Sequence, residues 1–382
     1  MTTTRPLRVA LPCTGLGHVH RGFEAFTREL ARALAGDSRI AARAYGGGTA
    51  LAAGEHRVWC VRRDSRLARW LGAAMGRGTY FVEQVTFFLG FLPTLLRCTP
   101  DVIYFSDLNF GNACWHWRRL SGQRYRLLYY NGGPTTRPFT RCDLVQQVSP
   151  EHRAAALARG ERADQMLLLP HGLAIPERLP AREPAHVASV RAALGIDSGR
   201  PMLLSVGVLA ATHKRMDALV DAVTALGDDR PHLVMLGERS EETPALEARA
   251  RGLGPHVTIA TWPRERMPDA YAAADAFALL SLREGFGLAY LEAMAAGLPC
   301  VAHDNATTRY ILGHHAFLGD TTQRAVTVAL VQRALASAGD ADARAARHAW
   351  ARAHFSWDVL APRYVEMLLA CAAGRRPVVE DA

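Results

Sequence analysis

Short apolar runs alternate with stretches of helical spacing along the whole chain, in two successive series. In the first, residues 7–12, 101–105, 126–130 and 144–148 read as strands buried on both faces. Between the first two, residues 23–34 place Phe23, Phe26, Leu30, Ala33 and Leu34 on one helical face. The pattern then restarts. Residues 201–206, 232–236, 257–259, 276–280 and 299–302 are strand-like, and 217–226, 267–274, 288–296 and 325–338 are helix-like. Strands alternating with helices require parallel sheets covered on both faces. Two such series in 382 residues predict two doubly wound α/β domains.

Pro170, Pro176, Pro180 and Pro184 interrupt the pattern between the series, with no apolar periodicity among them. The expected organisation is a first Rossmann-like domain over 1–172 and a second over 173–355. Residues 356–382 form a last helix and tail, the helix capped by Ser356 and running Trp357–Ala372. In open parallel sheets, ligands sit beyond the carboxyl ends of the strands. The loops after each strand are therefore where chemistry is expected.

Charge separates the two series. Residues 1–175 carry 23 Lys/Arg and 12 Asp/Glu, a net of +11, while 176–382 carry 22 and 24, a net of −2. The basic half suits an anionic lipid surface or an acidic substrate. No nucleic-acid-binding motif accompanies the charge, so nucleic acid is not expected as a partner. Lys214 is the only lysine in the chain. Arginine serves everywhere else, so this position selects a compact point charge on a flexible stem. Seven scattered cysteines form no C-x-x-C pair, which predicts free thiols in a reducing cytoplasm. The apolar run near the N-terminus is too short for a signal segment, and no later run is expected to span a membrane.

The most informative stretch is Glu284-Gly-Phe-Gly-Leu-Ala-Tyr-Leu-Glu292, which follows the strand 276–280 and opens a helix. Gly285 and Gly287 allow the backbone close to a ligand. The amides of Phe286, Gly287 and Leu288 then point out of a helix N-terminus, a site suited to a diphosphate. Glu284 sits in the loop, and Glu292 lies one turn into the helix on the side of Leu288. Carboxylates on both sides of a phosphate-binding turn suit a ligand with hydroxyls on both sides of its phosphates. A nucleotide sugar is such a ligand.

Glu284 and Glu292 resemble the E-x7-E motif of retaining family 4 glycosyltransferases, and Glu292-Ala-Met-Ala-Ala-Gly-Leu-Pro extends the likeness. So do Ser205-Val-Gly207 followed by Lys214, Pro170-His-Gly172, and Phe355-Ser-Trp357. The resemblance implies the GT-B fold. That fold has two Rossmann-like domains whose parallel sheets face each other across a cleft, with a C-terminal helix crossing back to the first. It also implies roles. Gly207, Lys214 and the 285–288 amides hold the donor diphosphate, Glu292 the ribose and Glu284 the hexose. Where the family often has arginine the chain has Val208, and Arg215 is the candidate to supply that charge. No metal or cofactor is implied, and Asp340-Ala-Asp342 reads as surface.

On the acceptor side, the loop Gly15-Leu-Gly17-His18-Val-His20-Arg21-Gly22 follows the first strand. In the resembling family this loop approaches donor phosphate and acceptor, which makes Gly17, His18, His20 and Arg21 candidates. A plain β-α turn with solvated side chains reads equally well. Asn131-Gly132-Gly133 follows the strand 126–130, and Asn131 stands where many members have a histidine near the transfer point. An amide is no base near neutral pH, so its expected role is hydrogen bonding. Asp107 and Asn109 are further candidates. Residues 80–96 are rich in Phe and Leu and flanked by arginines; burial as a core helix is favoured over contact with a membrane.

The expected activity is transfer of a hexose from a nucleoside-diphosphate sugar to an acceptor hydroxyl on a glycan, lipid or small natural product. Its expected place is the cytoplasm, including the inner face of the membrane. The alternatives are a nucleotide-sugar epimerase on the same fold and a donor-binding subunit that has lost catalysis, the latter motivated by Asn131.

Overall fold

A computed structural model describes residues 5–19, 22–133, 135, 137–197 and 199–375. The chain divides into two compact units, 1–172 with 357–382, and 173–356.

The first unit is built on seven parallel strands: β1 (Leu7–Cys13), β2 (Ile40–Gly46), β3 (His56–Arg57), β4 (Val102–Phe105), β5 (Arg126–Asn131), β6 (Leu144–Gln147) and β7 (Met166–Leu168). Their order is β3-β2-β1-β4-β5-β6-β7. The order reverses between β1 and β4, which makes the loops after those two strands the topological switch point. The central strands are continuous apolar runs because helices cover both faces; Val102, Ile103, Tyr104 and Phe105 are all buried. At the end of β2, Gly46, Gly47 and Gly48 lie against the loop after β1. A Cβ at Gly48 would fall 2.1 Å from the Gly17 carbonyl carbon, and one at Gly47 2.7 Å from the Thr14 oxygen. Only glycine permits that backbone approach.

The helix Trp357–Ala372 packs within this unit. Tyr364 donates its hydroxyl to the Pro170 carbonyl at 2.8 Å, and Trp357 donates its indole N–H to Glu29 at 3.1 Å. Ser356 precedes the helix in extended backbone, but its buried hydroxyl has no partner. The side-chain cap expected from the sequence is therefore not made. Ser356 is instead the single extended residue between the helix Ala341–Phe355 and the last one.

The helix Thr79–Arg97 covers the stretch for which burial was favoured over contact with a membrane. By length and composition it could cross a membrane, the one such helix among the described residues. It is a packing helix, however. Val82, Phe87, Phe91 and Leu95 are buried in the core, and Glu83 and Gln84 are buried with them.

The second unit is built on six parallel strands: β8 (Met202–Val206), β9 (His232–Leu236), β10 (Val257–Ala260), β11 (Ala276–Leu279), β12 (Cys300–His303) and β13 (Phe317–Gly319). The order is β10-β9-β8-β11-β12-β13, with the reversal between β8 and β11. Leu203 pairs with Ala276 and Leu204 with Phe277, so the loops beginning at Gly207 and Leu280 leave the same edge of the sheet side by side. Pro184, expected in the connecting segment, is the first residue of the helix Pro184–Ala193. Its missing N–H is one that a first helical turn leaves unbonded anyway.

Candidate functional site

In the second unit, the switch point brings Lys214 and Glu284 together. Lys214 precedes the helix Met216–Thr224, and its ammonium meets the Glu284 carboxylate at 2.6 Å. Both side chains are largely buried. The lysine stem runs over Gly207, where an added Cβ would lie 3.1 Å from Cε. A Cβ at Gly237 would fall 1.6 Å from the Gly207 carbonyl oxygen, so Gly237 tolerates no side chain there. The glycine after β8 thus lays down the track along which Lys214 reaches Glu284. One of the three ammonium donors is used by Glu284.

Beyond Glu284, the chain turns through Gly287 at φ +91° and starts the helix Leu288–Ala295. A residue with a side chain is strained at that φ. Phe286 is buried and meets Phe355 edge-on at 6.0 Å. The first amides of this helix have no intrahelical acceptor and carry the positive end of its dipole. Glu292 accepts the Tyr271 hydroxyl at 2.7 Å and has Arg264 at 3.8 Å. Burial, then the nearby Glu292 charge, raises the Tyr271 pKa well above its usual value. Tyr271 therefore stays a donor. The unit combines a cation, a helix N-terminus and two carboxylates, a set that can hold phosphates and hydroxyls together.

Arg215 goes elsewhere. It has φ +51°, the only such residue other than glycine among those described, and its guanidinium donates to the Thr321 carbonyl at 3.2 Å. The charge expected from Arg215 at the phosphate loop is tied instead to the segment after β13.

In the first unit, the switch point gathers residues from four separate segments. His18 Nε2 lies 2.8 Å from Glu83 Oε1. Arg63 donates its backbone N–H to the same oxygen at 3.0 Å and its guanidinium to Oε2. Arg63 also donates to Thr14 Oγ1 at 3.3 Å and lies 4.1 Å over the Tyr80 ring. Asp107 accepts the Tyr80 hydroxyl on one oxygen and the Thr14 amide, at 3.2 Å, on the other. Burial raises the Asp107 pKa, and those hydrogen bonds only partly offset it. For Glu83, burial acts upward as well, but hydrogen bonds from His18 and Arg63 outweigh it and hold the carboxyl below its usual range.

Several expected site residues have other partners. Asn131, at the end of β5, is 2% exposed and donates its amide to Gln147 at 2.6 Å. The register pairs these two residues across β5 and β6, so the side chain is spent inside the sheet. Its Oδ1 is buried without a partner. Asp107, a further candidate on the acceptor side, is buried with both oxygens occupied. Asn109 accepts Arg137 at 2.9 Å. Gly132 lies against the Tyr130 ring, 2.2 Å from where its Cβ would be. Gly17 has φ +89° and packs on Gly48. His20 and Arg21 lie outside the described residues. Arg63, Tyr80 and Glu83 were missed by sequence reasoning. The available signal was Glu83 as a lone acid in an otherwise apolar helix.

Among the described residues, no group of three or more His, Cys, Asp or Glu is placed to hold a metal ion. Asp340 caps the helix Ala341–Phe355 through the Ala343 amide.

Residues 187–352 match the family Glycosyl transferases group 1. Mannosylfructose-phosphate synthase of Agrobacterium fabrum is 28% identical over 264 residues, covering 64% of this chain and 56% of that protein. The chain thus spans about half the length of that curated relative. Among solved structures, sucrose-phosphate synthase from Thermosynechococcus elongatus matches with a TM-score of 0.76 at 19% identity, over 96% of this chain and 99% of that one. The Anabaena protein Alr3699/HepE, in complex with UDP and glucose, matches with 0.74 at 17%, over 95% and 100%. Likeness at this level establishes the fold, two parallel-sheet Rossmann-like domains of the GT-B type.

Proposed function

We propose that this chain, which carries a glycosyl transferases group 1 match over 187–352, moves a hexose from a nucleoside-diphosphate sugar to an acceptor hydroxyl, with retention at the anomeric carbon. The observation that carries the reading is the Lys214–Glu284 pair beside the N-terminus of the helix that bears Glu292. Lys214 and the helix amides receive the diphosphate, Glu292 the ribose and Glu284 the transferring sugar. Positive charge comes from the chain itself, so the reading invokes neither metal nor cofactor. The first unit receives the acceptor. Retention rests on the likeness of Glu284 and Glu292 to the E-x7-E pattern.

A ligand that binds only the native state raises its stability by mass action, about 2.7 kcal/mol at a hundred times Kd. A thermal-shift screen of UDP-, GDP-, ADP- and dTDP-sugars is expected to show one base that stabilises the protein. Transfer from that donor to a hydroxyl acceptor follows. No shift with any donor overturns the reading. A shift without transfer favours the donor-binding subunit, and interconversion of the sugar favours the epimerase.

The place of action we propose is the cytoplasmic face of an anionic membrane, reached through the helix Arg66–Ala74. The helix Arg66–Ala74 buries Ala68 and Gly72. It exposes Leu67 (51%) and Trp70 (66%), one turn apart, and Met75 follows at 50%. Arg66 and Arg69 lie on the adjoining strip and are exposed too. Apolar side chains flanked by arginine suit the boundary between headgroups and acyl chains. Each arginine near an anionic surface contributes about 1 kcal/mol, so Arg66→Glu with Arg69→Glu should weaken binding to phosphatidylglycerol vesicles at least tenfold. Trp70→Ala should weaken it while keeping the preference over phosphatidylcholine. Cosedimentation that is equal for both lipids, or absent, defeats this placement.

A further inference from the structure

The buried cluster after β1 contains one nitrogen with nothing to bond. Glu83 is fully buried, and three groups converge on its carboxylate: His18 Nε2, the Arg63 amide and the Arg63 guanidinium. Those bonds hold its pKa below the usual range, so near neutral pH it is ionised. An ionised carboxylate has lone pairs only, so the hydrogen between it and His18 must sit on Nε2. In the Nε2–H tautomer, Nδ1 is the acceptor of the ring. Nδ1 is buried, and no donor among the described residues reaches it.

The neighbouring groups cannot supply that donor. The Tyr80 hydroxyl and the Thr14 amide both go to Asp107. The Asn131 amide goes to Gln147, and the Arg63 guanidinium to Glu83 and Thr14. A buried acceptor left open is costly unless something else completes it. Here it sits in the loop at the carboxyl end of β1, beside the reversal of strand order, where ligands of such sheets bind.

We propose that His18 Nδ1 accepts a hydrogen bond from a hydroxyl of the acceptor, and that Glu83, steadied by Arg63, is the positioning residue that fixes the ring for it. The inference rests on the reading of the first unit as the acceptor domain. A polyhydroxylated acceptor, such as a sugar or a cyclitol, has the chemistry required: a hydroxyl that donates, with others beside it. His18 orients the acceptor oxygen and takes no proton in this role. Glu83 acts only through His18, with Arg63 providing the counter-charge that keeps it ionised.

The test combines a spectroscopic and a kinetic readout on the full chain. With imidazole nitrogens labelled, long-range proton–nitrogen correlation should show His18 of the wild type in the Nε2–H form. Glu83→Gln, whose amide can donate as well as accept, should populate both tautomers. In transfer assays E83Q should lower kcat/KM for the acceptor about tenfold and leave the KM for the donor unchanged. Glu83→Asp, which keeps the carboxylate, should retain more of the acceptor kcat/KM than E83Q. Loss of structure alone would move donor and acceptor parameters together and give no such order. An Nδ1–H tautomer in the wild type overturns the inference, as does an acceptor kcat/KM unchanged in E83Q. Absence of transfer in the wild type overturns the transferase reading and this inference with it; transfer that ignores Glu83 overturns the inference alone.

Discussion

Lys214→Ala is expected to weaken binding of the nucleoside diphosphate well beyond tenfold. Two effects act in the same direction. The phosphate loses a charge-assisted hydrogen bond, worth about 1.5–3 kcal/mol, and about 1.4 kcal/mol is a factor of ten. In addition, Glu284 keeps its carboxylate while losing the ammonium 2.6 Å away. An uncompensated negative charge then faces an incoming anion. The double replacement Lys214→Ala with Glu284→Ala removes that second effect. It should bind diphosphate more tightly than Lys214→Ala alone, though less tightly than wild type. Gly207→Ala offers an independent approach, because its methyl would press on the lysine stem and should weaken diphosphate binding with the charge still present. Isothermal titration calorimetry with the free diphosphate measures all of these. Wild-type affinity in Lys214→Ala would falsify the assignment of the chain's only lysine to phosphate.

The sheets were legible because parallel strands covered on both faces are largely apolar, as the cores of β1, β4, β5 and β8 are. Strands that miss that condition stayed hidden. β2 carries Arg43 and exposes alternate residues in its first half. β3 has two residues, and β7 and β13 have three each, too few for any period to show. The helix Pro184–Ala193 was hidden for a different reason. A proline reads as a breaker in the middle of a pattern, but at the first helical position it is a starter.

The two halves of the candidate site differ in legibility for a topological reason. In the second unit, the residues that matter lie in one loop and one helix, 284–292, plus Lys214, whose solitude in the composition drew attention to it. In the first unit, His18, Arg63, Glu83 and Asp107 come from four segments that only the strand order brings together. No spacing rule connects them. Glu83 alone carried a local signal, since a carboxylate in an apolar helix is not buried without partners. The partner of Asn131 was illegible at another level. A residue at the end of a strand can point into the sheet as well as out of it, and here the β5–β6 register gives it Gln147 as a partner.

The two glutamates of the donor loop should fail in opposite ways. Glu292 sits in the helix with Tyr271 donating to it and Arg264 nearby, and its proposed ligand is the ribose. Glu292→Ala should therefore lower affinity for the free nucleoside diphosphate as much as for the intact donor. The loss of a charged hydrogen bond sets that at about tenfold. Glu284 stands at the head of the loop and is bonded to Lys214. Its proposed ligand is the sugar, and interactions with the sugar matter most as positive charge builds on the ring. Glu284→Ala should lower kcat on the order of a hundredfold or more, in the range seen when one electrostatic stabiliser of a transition state is removed. Free diphosphate should bind this variant as tightly as wild type, or more tightly, because Lys214 is released from its carboxylate partner. The sign of the change in diphosphate affinity thus separates the two residues before any turnover is measured. If both variants lose diphosphate affinity equally and turn over normally at saturating donor, neither glutamate touches the sugar. Glu284 would then be only the anchor that holds Lys214 in place.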